Sequence, residues 1–276
     1  MKIPKCQFCG QEILSWQSMV SADGGCKGSV IFAHEDCCHK RAYSFKNNNE
    51  HHKPTDCGFQ WGAEFETNSR TSLAQRLQLW SWYKLICTDD CTVNEEFKSS
   101  INKGLHGVKD MLDGIQEIVD ISSGENCGTH ANVSLENWDN YTMVKIHNYA
   151  LQIFSPLANY LKEHTADTIE VFGRDFGSYR EFSTNSFQHG DWLNIKSKCL
   201  EFRLAKFQNT QQYFYLLAML KEMCLALNNF IKSYSGYSSI DSRNANKVGN
   251  KLVKIFQKRV NGTATYMSRE RNTKER

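Results

Sequence analysis

The stretch GFQWGAEFE, residues 58–66, alternates apolar and polar side chains and carries two glutamates. On a β-strand this spacing puts Glu64 and Glu66 on one face, while the aromatic and apolar side chains point to the other. Carboxylates side by side on a sheet repel each other unless a cation lies between them. Because Mg²⁺ prefers hard oxygen ligands, the stretch predicts a metal-binding strand. A solvated surface strand is the alternative, and motifs farther along the chain favour the metal.

The composition is typical of a soluble globular protein. The 276 residues are 40% hydrophobic and 23% charged, which suits one sizeable core with a small added module. A net charge of +3 is too small to indicate nucleic-acid binding by itself. No apolar run approaches the roughly 20 residues that span a bilayer, and residues 1–6 lack the apolar core of a signal peptide. We therefore expect no membrane-spanning segment.

The cysteine content indicates a reducing compartment. Eleven cysteines are many for a chain of this length. Their odd number, together with the lack of an export signal, favours reduced thiols and metal ligation over a disulfide framework. We expect a cytoplasmic protein, either in its own cell or in an infected host.

Residues 1–55 are predicted to form a zinc-binding module that ends in a polar linker at 46–54. Two ligand pairs mark the module, and they are Cys6 with Cys9 and His34 with Cys37. Two such pairs supply the four ligands of a closed, tetrahedral and therefore structural Zn²⁺ site. The pattern resembles half of a LIM or treble-clef zinc knuckle. Cys26 and Cys38 compete for a place in the site, and Cys38 is the direct rival of Cys37. His39 lies close by in the sequence.

Residues 56–276 are predicted to form the main domain, with strands and helices intermixed. After the strand at 58–66, further strands are expected at 79–87, 93–99, 129–135, 192–195 and 199–204, with a turn at 89–92. Helices are expected at 101–119, 141–164, 210–232 and 244–260, before a frayed basic tail. The second helix should kink or restart at Pro156 and bury a stripe that includes Val144 and Leu151. Hairpins among the strands favour an α+β fold with an antiparallel sheet.

Several of these strands carry ionisable or amide groups on one face. Carboxylates bind Mg²⁺, Mg²⁺ binds phosphate oxygens, and arginine offsets the charge that moves during phosphoryl transfer. The chain has neither a P-loop motif nor a Gly-x-Gly-x-x-Gly motif after a strand, which disfavours the P-loop, kinase and Rossmann classes. The pattern predicts a Mg-nucleotide site built from Glu64, Glu66, Glu96, His130, Asn132, Glu201 and Arg203.

The order of five short motifs resembles the amidoligase family, the carboxylate–amine ligases that share the fold of glutamine synthetase and γ-glutamylcysteine ligase. The motifs are Gly62-x-Glu64-x-Glu66, Asp90-x-Thr92 followed by EFKS at 96–99, CGTHANV at 127–133, Arg174 with Tyr179, and Glu201-x-Arg203. The resemblance runs over residues 58–204, or to 232 with the following helix, and excludes the zinc module. The chain departs from the family pattern in three places, with Cys91-Thr92 for Gly-Ser, Glu95 for glycine and Ala131 for a β-branched residue.

The resemblance implies a curved antiparallel sheet packed with helices and a role for each motif residue. Glutamates 64, 66, 96 and 201 would hold Mg²⁺ and the phosphates of ATP, with His130 and Asn132 beside them. Arg203 would contact the transferring phosphoryl group, and Arg174, with Arg180 as its rival, would lie in the substrate or phosphate region.

The reaction that the resemblance implies is ATP-dependent amide formation through an acyl phosphate. The carboxylate and amine substrates stay open among a free amino acid, a small peptide, a cell-wall fragment and a protein side chain.

Two other functions stay open at this point. A zinc-containing binding protein on a degenerate ligase scaffold would use the module and the basic residues from Lys258 onward to grip nucleic acid or a protein partner. A metal-dependent hydrolase would use the same carboxylates, but the chain has no His-Glu-x-x-His motif. Binding of Mg-ATP separates the ligase from the binding protein.

Overall fold

The computed structural model of the chain describes residues 4–6, 9–15, 19–23, 30–34, 58–83, 85–88, 93, 95–99, 101–105, 108–119, 127–177, 191–206 and 209–274. Within these ranges the strands are β1 (Met19–Asp23), β2 (Val30–His34), β3 (Phe59–Thr67), β4 (Ile86–Thr88), β5 (Glu95–Lys98), β6 (Asn102–Lys103), β7 (Thr129–Leu135), β8 (Leu193–Ile195) and β9 (Leu200–Phe202). The helices are α1 (Leu73–Tyr83), α2 (Val108–Ile118), α3 (Asn140–Asn148), α4 (Ala150–Glu163), α5 (Thr165–Phe172), α6 (Thr210–Ser233) and α7 (Ser238–Lys274).

The fold class is α+β with an open antiparallel sheet, which confirms the predicted class. The larger sheet has the strand order β4-β5-β3-β7-β9-β8, and β6 pairs with β3. The pairs β3 with β5, β4 with β5, β7 with β9 and β8 with β9 are antiparallel. A separate antiparallel hairpin joins β1 to β2.

The chain divides into two compact units. Unit 1 comprises Met1–Cys57 and Trp61–Thr129, and unit 2 comprises Gly58–Gln60 and His130–Arg276. The boundary expected near residue 55 falls at positions outside the described residues, so the division into a zinc module and a main domain stays a prediction.

In unit 1, β3 has the amphipathic character that its sequence predicts. Trp61, Ala63 and Phe65 are buried on its apolar face. Phe65 lies opposite the buried Phe97 of β5. The indole N–H of Trp61 donates to the carbonyl of Gly104 over 2.9 Å, which satisfies the polar atom of this buried ring. The face with the glutamates is thereby fixed relative to the core.

The predicted strand at 79–87 is wrong, because its first half is helical. Helix α1 continues to Tyr83, and only Ile86–Thr88 forms a strand. The hydroxyl of Ser72 accepts from the Gln75 backbone N–H, and the Gln75 side chain accepts from the Ser72 backbone N–H, as in a capping box. The Gln75 side chain also donates to the Ile118 carbonyl at the end of α2. Local capping and helix packing outweigh the strand preference of the aromatic residues.

Two predicted helices have different limits in the structure. Helix α2 begins at Val108 instead of 101, because Asn102 and Lys103 belong to β6. The predicted helix at 141–164 is divided at Tyr149, and Pro156 lies inside α4. This break rotates the buried face, so Val144 and Leu151 are exposed, contrary to the predicted stripe.

The core of unit 2 is built around an aromatic cluster under the sheet. The ring of the buried Trp192 lies 5.9 Å from that of Phe202, 6.0 Å from Phe176 and 6.5 Å from Phe154. Helices α4 and α7 pack closely where Gly249 meets the backbone of α4. Helix α7 covers 37 residues, which is longer than the predicted segment at 244–260.

Helix α6 departs from the expectation of no bilayer-length apolar segment. Among the described residues it is the one helix that is long and apolar enough to cross a membrane, and half of that stretch is buried in the interior. Its buried side chains include Leu217, Leu220 and Phe230. This burial is typical of a core helix in a soluble protein.

Candidate functional site

A group of three carboxylates occupies one face of β3 and β5 in unit 1. The register places Glu64 opposite Lys98 and Glu66 opposite Glu96, so all four side chains share this face. Carboxylate oxygens of Glu64 and Glu96 lie within 4.8 Å of each other. The ammonium group of Lys98 lies 2.9 Å from Glu96 and is 46% exposed. The four side chains carry a net negative charge, and their oxygen ligands suit a hard divalent cation.

The orientation of Glu66 is fixed by the backbone of Gly128. The Gly128 N–H donates to the Glu66 carboxylate, and the Glu66 N–H donates to the Gly128 carbonyl over 3.1 Å. This contact satisfies an oxygen of a carboxylate that is buried. The motif Cys-Gly-Thr-His at 127–130 therefore has a structural function at its glycine.

The side chain of Glu95 points away from this carboxylate group. It is buried, forms an ion pair with Arg76 of α1, and accepts a hydrogen bond from the Thr71 N–H over 3.0 Å. The guanidinium of Arg76 also donates to the Thr71 hydroxyl over 3.1 Å. Glu95, which stands where the amidoligase pattern has glycine, is thus neutralised by Arg76 and links β5 to α1.

In unit 2, a second group of polar side chains surrounds the buried carboxylate of Glu201. Residue Glu201 lies between Asn132 of β7 and Asn194 of β8 in the paired register, so the three side chains share one face. One carboxylate oxygen lies 3.6 Å from His130 Nδ1 and 3.5 Å from the Arg203 guanidinium.

The second oxygen of Glu201 has partners of its own. It accepts from the Asn194 amide over 2.8 Å and lies 3.2 Å from Lys196 Nζ. Lys196 also donates to the side-chain amide oxygen of Asn132, Oδ1, over 3.0 Å. One buried carboxylate therefore holds an ammonium and a guanidinium group in place, and the group has a net positive charge even with His130 neutral.

The position of His130 is set from two sides. Its backbone carbonyl accepts a hydrogen bond from the hydroxyl of the buried Tyr213 of α6 over 3.3 Å, and its ring lies beside Glu201.

Cys224 of α6 belongs to the core. Burial raises the pKa of the Cys224 thiol, with a smaller effect of Cys199, so this thiol stays protonated at neutral pH.

Lys196 and Asn194 were not predicted as site residues. The Lys196 N–H donates to the Cys199 carbonyl over 2.9 Å, which closes a two-residue turn at 197–198 within the four residues between β8 and β9. Since side chains alternate along β8, Lys196 faces the same way as Asn194, and Asn194 lies opposite Glu201. The sequence signal for these two residues is the order Asn194-x-Lys196, a two-residue turn, and then Glu201-x-Arg203.

The structure describes fewer contacts for the remaining predicted site residue, Arg174, and its sequence neighbours. Arg174 is half-buried and follows Gly173, which ends α5 in the left-handed conformation with φ 77°. Its rival Arg180 lies outside the described residues, as do Tyr179 and the segment 89–92. The catalytic assignment of Arg174 stays a prediction.

The first of the two predicted zinc-ligand pairs lies in a short hairpin. The Cys6 N–H donates to the Gln11 carbonyl and the Gly10 N–H donates to the Cys6 carbonyl, both over 2.8 Å. The turn uses Gly10 at φ 73°, a conformation that favours glycine. Cys6 is buried and Cys9 is exposed. His34 ends β2, its side chain is not described, and four residues named with the module lie outside the described residues: Cys26, Cys37, Cys38 and His39.

Comparison with known proteins gives no family assignment. No protein-family model matches the chain, and no curated protein matches it significantly. The resemblance to amidoligases therefore rests on the sequence motifs.

Proposed function

We propose that the protein is an ATP- and Mg²⁺-dependent carboxylate–amine ligase with a fold like that of glutamine synthetase. The observation that supports the proposal is that negative and positive side chains form two separate groups on the predicted strands. Carboxylates of Glu64, Glu66 and Glu96 cluster on β3 and β5, while Arg203 and Lys196 gather around Glu201. A nucleotide-dependent ligase needs both kinds of group, because it binds a metal ion together with its phosphates.

The donor chemistry of the first group fits Mg²⁺. Two oxygen ligands of one Mg²⁺ lie at most about 4.2 Å apart, since each Mg–O distance is about 2.1 Å. The Glu64 and Glu96 oxygens lie within 4.8 Å of each other, so rotations of the side chains suffice to bring both onto one ion. We propose that Glu66 completes this group of oxygen ligands, as the resemblance implies. When bound, Mg²⁺ would offset phosphate charge and polarise the transferred group.

The proposed reaction joins a carboxylate to an amine in two steps. The γ-phosphoryl group of ATP passes to an oxygen of the substrate carboxylate, and ADP leaves. The amine nitrogen then attacks the carbonyl carbon, the C–N bond forms, the C–O bond to phosphate breaks, and the nitrogen loses a proton. Arg203 stabilises the phosphoryl group in the first step, and Glu201 keeps the guanidinium in position.

Three further parts of the proposal follow from the sequence. A structural Zn²⁺ bound by Cys6, Cys9, His34 and Cys37 would stabilise the N-terminal module, and the hairpin around Cys6 supports it. The cysteine content favours a cytoplasmic location for the protein. The carboxylate and amine partners are an amino acid, a peptide or a protein side chain.

Release of phosphate from ATP across pools of amino acids and peptides tests this function. We expect Mg²⁺-dependent release with at least one pool, and trapping of the activated carboxylate as a hydroxamate when hydroxylamine is added. The Glu96→Gln variant should lose this activity, whereas Glu163→Gln, the same change at an exposed site on α4, should keep it. Phosphate release equal in the wild type and in Glu96→Gln would contradict the proposal. A binding protein would give no ATP-dependent product in any pool.

A further inference from the structure

We propose that Lys196 is a second phosphate-binding cation beside Arg203, and that Glu201 positions these two cations instead of binding Mg²⁺. This inference rests on the ligase function proposed above and deepens it. It names the groups that contact the phosphate, and it changes the role that the amidoligase resemblance implies for Glu201.

Both oxygens of Glu201 lie close to nitrogen atoms of neighbouring side chains, and the hydrogen bond from Asn194 and the ion pair with Lys196 are the shorter contacts. One oxygen lies 3.5 Å from Arg203 and 3.6 Å from His130, and the other accepts from Asn194 and lies 3.2 Å from Lys196. A metal ligand needs an oxygen that approaches the ion to about 2.1 Å. Mg²⁺ at Glu201 would therefore displace at least one of these donors and stand beside the cations that Glu201 already holds.

The exposure of the three charged side chains decides which of them a ligand meets first. The side chain of Lys196 is 33% exposed and that of Arg203 is 17% exposed, whereas Glu201 is 2% exposed. Solute that enters this part of unit 2 meets the ammonium and the guanidinium, and the carboxylate lies behind them. Such a surface attracts an anion more than a cation.

Lys196 is also held more firmly than a surface lysine. The two-residue turn fixes its place on the sheet face, and Asn132 and Glu201 anchor its ammonium group at 3.0 Å and 3.2 Å. A cation that is fixed before binding loses less side-chain entropy when a ligand arrives.

The ligand that fits this pair is a phosphate group. The guanidinium of Arg203 can contact two phosphate oxygens, and Lys196 supplies a point charge to the same group. In the proposed reaction this group is the phosphoryl unit in transfer or the phosphate that is released. A carboxylate is the competing anion, and a separate titration with acetate distinguishes it from phosphate.

The test compares Lys196→Gln with Lys198→Gln in the full-length protein. Lys198 is exposed in the same loop, so its variant removes the same charge two residues away. Calorimetric titrations would measure the affinities for inorganic phosphate, ATP, acetate and Mg²⁺. We expect Lys196→Gln to weaken phosphate and ATP binding roughly tenfold, the effect of losing one charge-assisted contact. Acetate and Mg²⁺ affinities should not change, and Lys196→Arg should restore most of the phosphate affinity.

Three results would overturn the inference. The first is an unchanged phosphate affinity in Lys196→Gln. The second is a loss of acetate affinity alone, which would make this a carboxylate site. The third is a gain in Mg²⁺ affinity in Lys196→Gln, because the lysine would then occupy a metal position at Glu201. If phosphate binding falls as expected but ATP binds to no variant, the anion site stands and the ligase function fails.

Discussion

Replacement of Gly249 by alanine tests the packing of α7 on α4. Pro156 has no N–H to donate to the Gln152 carbonyl, and this part of α4 is where Gly249 makes its close approach. A Cβ atom added at Gly249 would lie 2.6 Å from the Gln152 carbonyl oxygen and 2.9 Å from that of Ile153. Both obstacles are backbone atoms, which cannot rotate away.

The magnitude follows from two opposed effects. Alanine is favoured over glycine inside a helix by about 1 kcal/mol. Overpacking a buried contact costs about 1–3 kcal/mol, and two backbone clashes indicate the upper end of that range. The variant Gly249→Ala should therefore lower the free energy of unfolding by about 2 kcal/mol. For a domain of this size, that corresponds to a decrease in Tm of roughly 4–8 °C.

Gly262 in the same helix provides the matched control. Outside its own helix backbone and chain neighbours, a Cβ atom there would meet none of the described atoms within 4 Å, so Gly262→Ala should be neutral or should stabilise by up to about 1 kcal/mol. Urea and thermal unfolding followed by circular dichroism would measure both variants. If Gly249→Ala proves as stable as Gly262→Ala, the close approach of α7 to α4 is refuted.

Three further predictions concern the phosphate site, a helix cap and the zinc module. Arg203→Lys should keep the fold and most ATP binding but lose turnover roughly 100-fold, because lysine lacks the planar fork; a lower Tm with unchanged turnover would show a merely structural ion pair. Hydrogen bonds from Thr142 hold the pKa of Asp139 below its usual value, so this cap stabilises α3 above about pH 4 and the stabilisation is lost as the pH falls through the lowered pKa. The difference in Tm between the wild type and Asp139→Ala should shrink from pH 7 to pH 3, and a constant difference would contradict the cap. Elemental analysis should find about one Zn²⁺ per chain, and Cys9→Ser should reduce it; freshly purified protein without zinc would end that prediction.

The strands of the candidate site could be predicted from the sequence because their pattern is local. Alternation of apolar and charged residues alone determines which face of β3 carries Glu64 and Glu66, and the same holds for Glu201 and Arg203. Hairpin connections then place neighbouring strands antiparallel. These features need no knowledge of distant contacts.

The errors arose where tertiary contacts or overlooked capping decide the structure. The capping box of Ser72 and Gln75 was readable in the sequence, but the aromatic residues after it favoured a strand. The break at Tyr149 has no glycine or proline to mark it, while Pro156 inside α4 is tolerated where Gly249 packs. No periodic pattern within one segment contains this information.

Stabilisation by Mg-ATP is the most direct test of the proposed ligase. A nucleotide at 100 times its Kd should add about 2.7 kcal/mol to the free energy of unfolding, and the gain should require Mg²⁺. Glu64→Gln and Glu96→Gln should lose most of this gain, while the exposed Glu163→Gln should keep it. If Mg-ATP does not raise the Tm of the wild type, or if it raises the Tm of Glu64→Gln equally, these carboxylates do not bind a Mg-nucleotide.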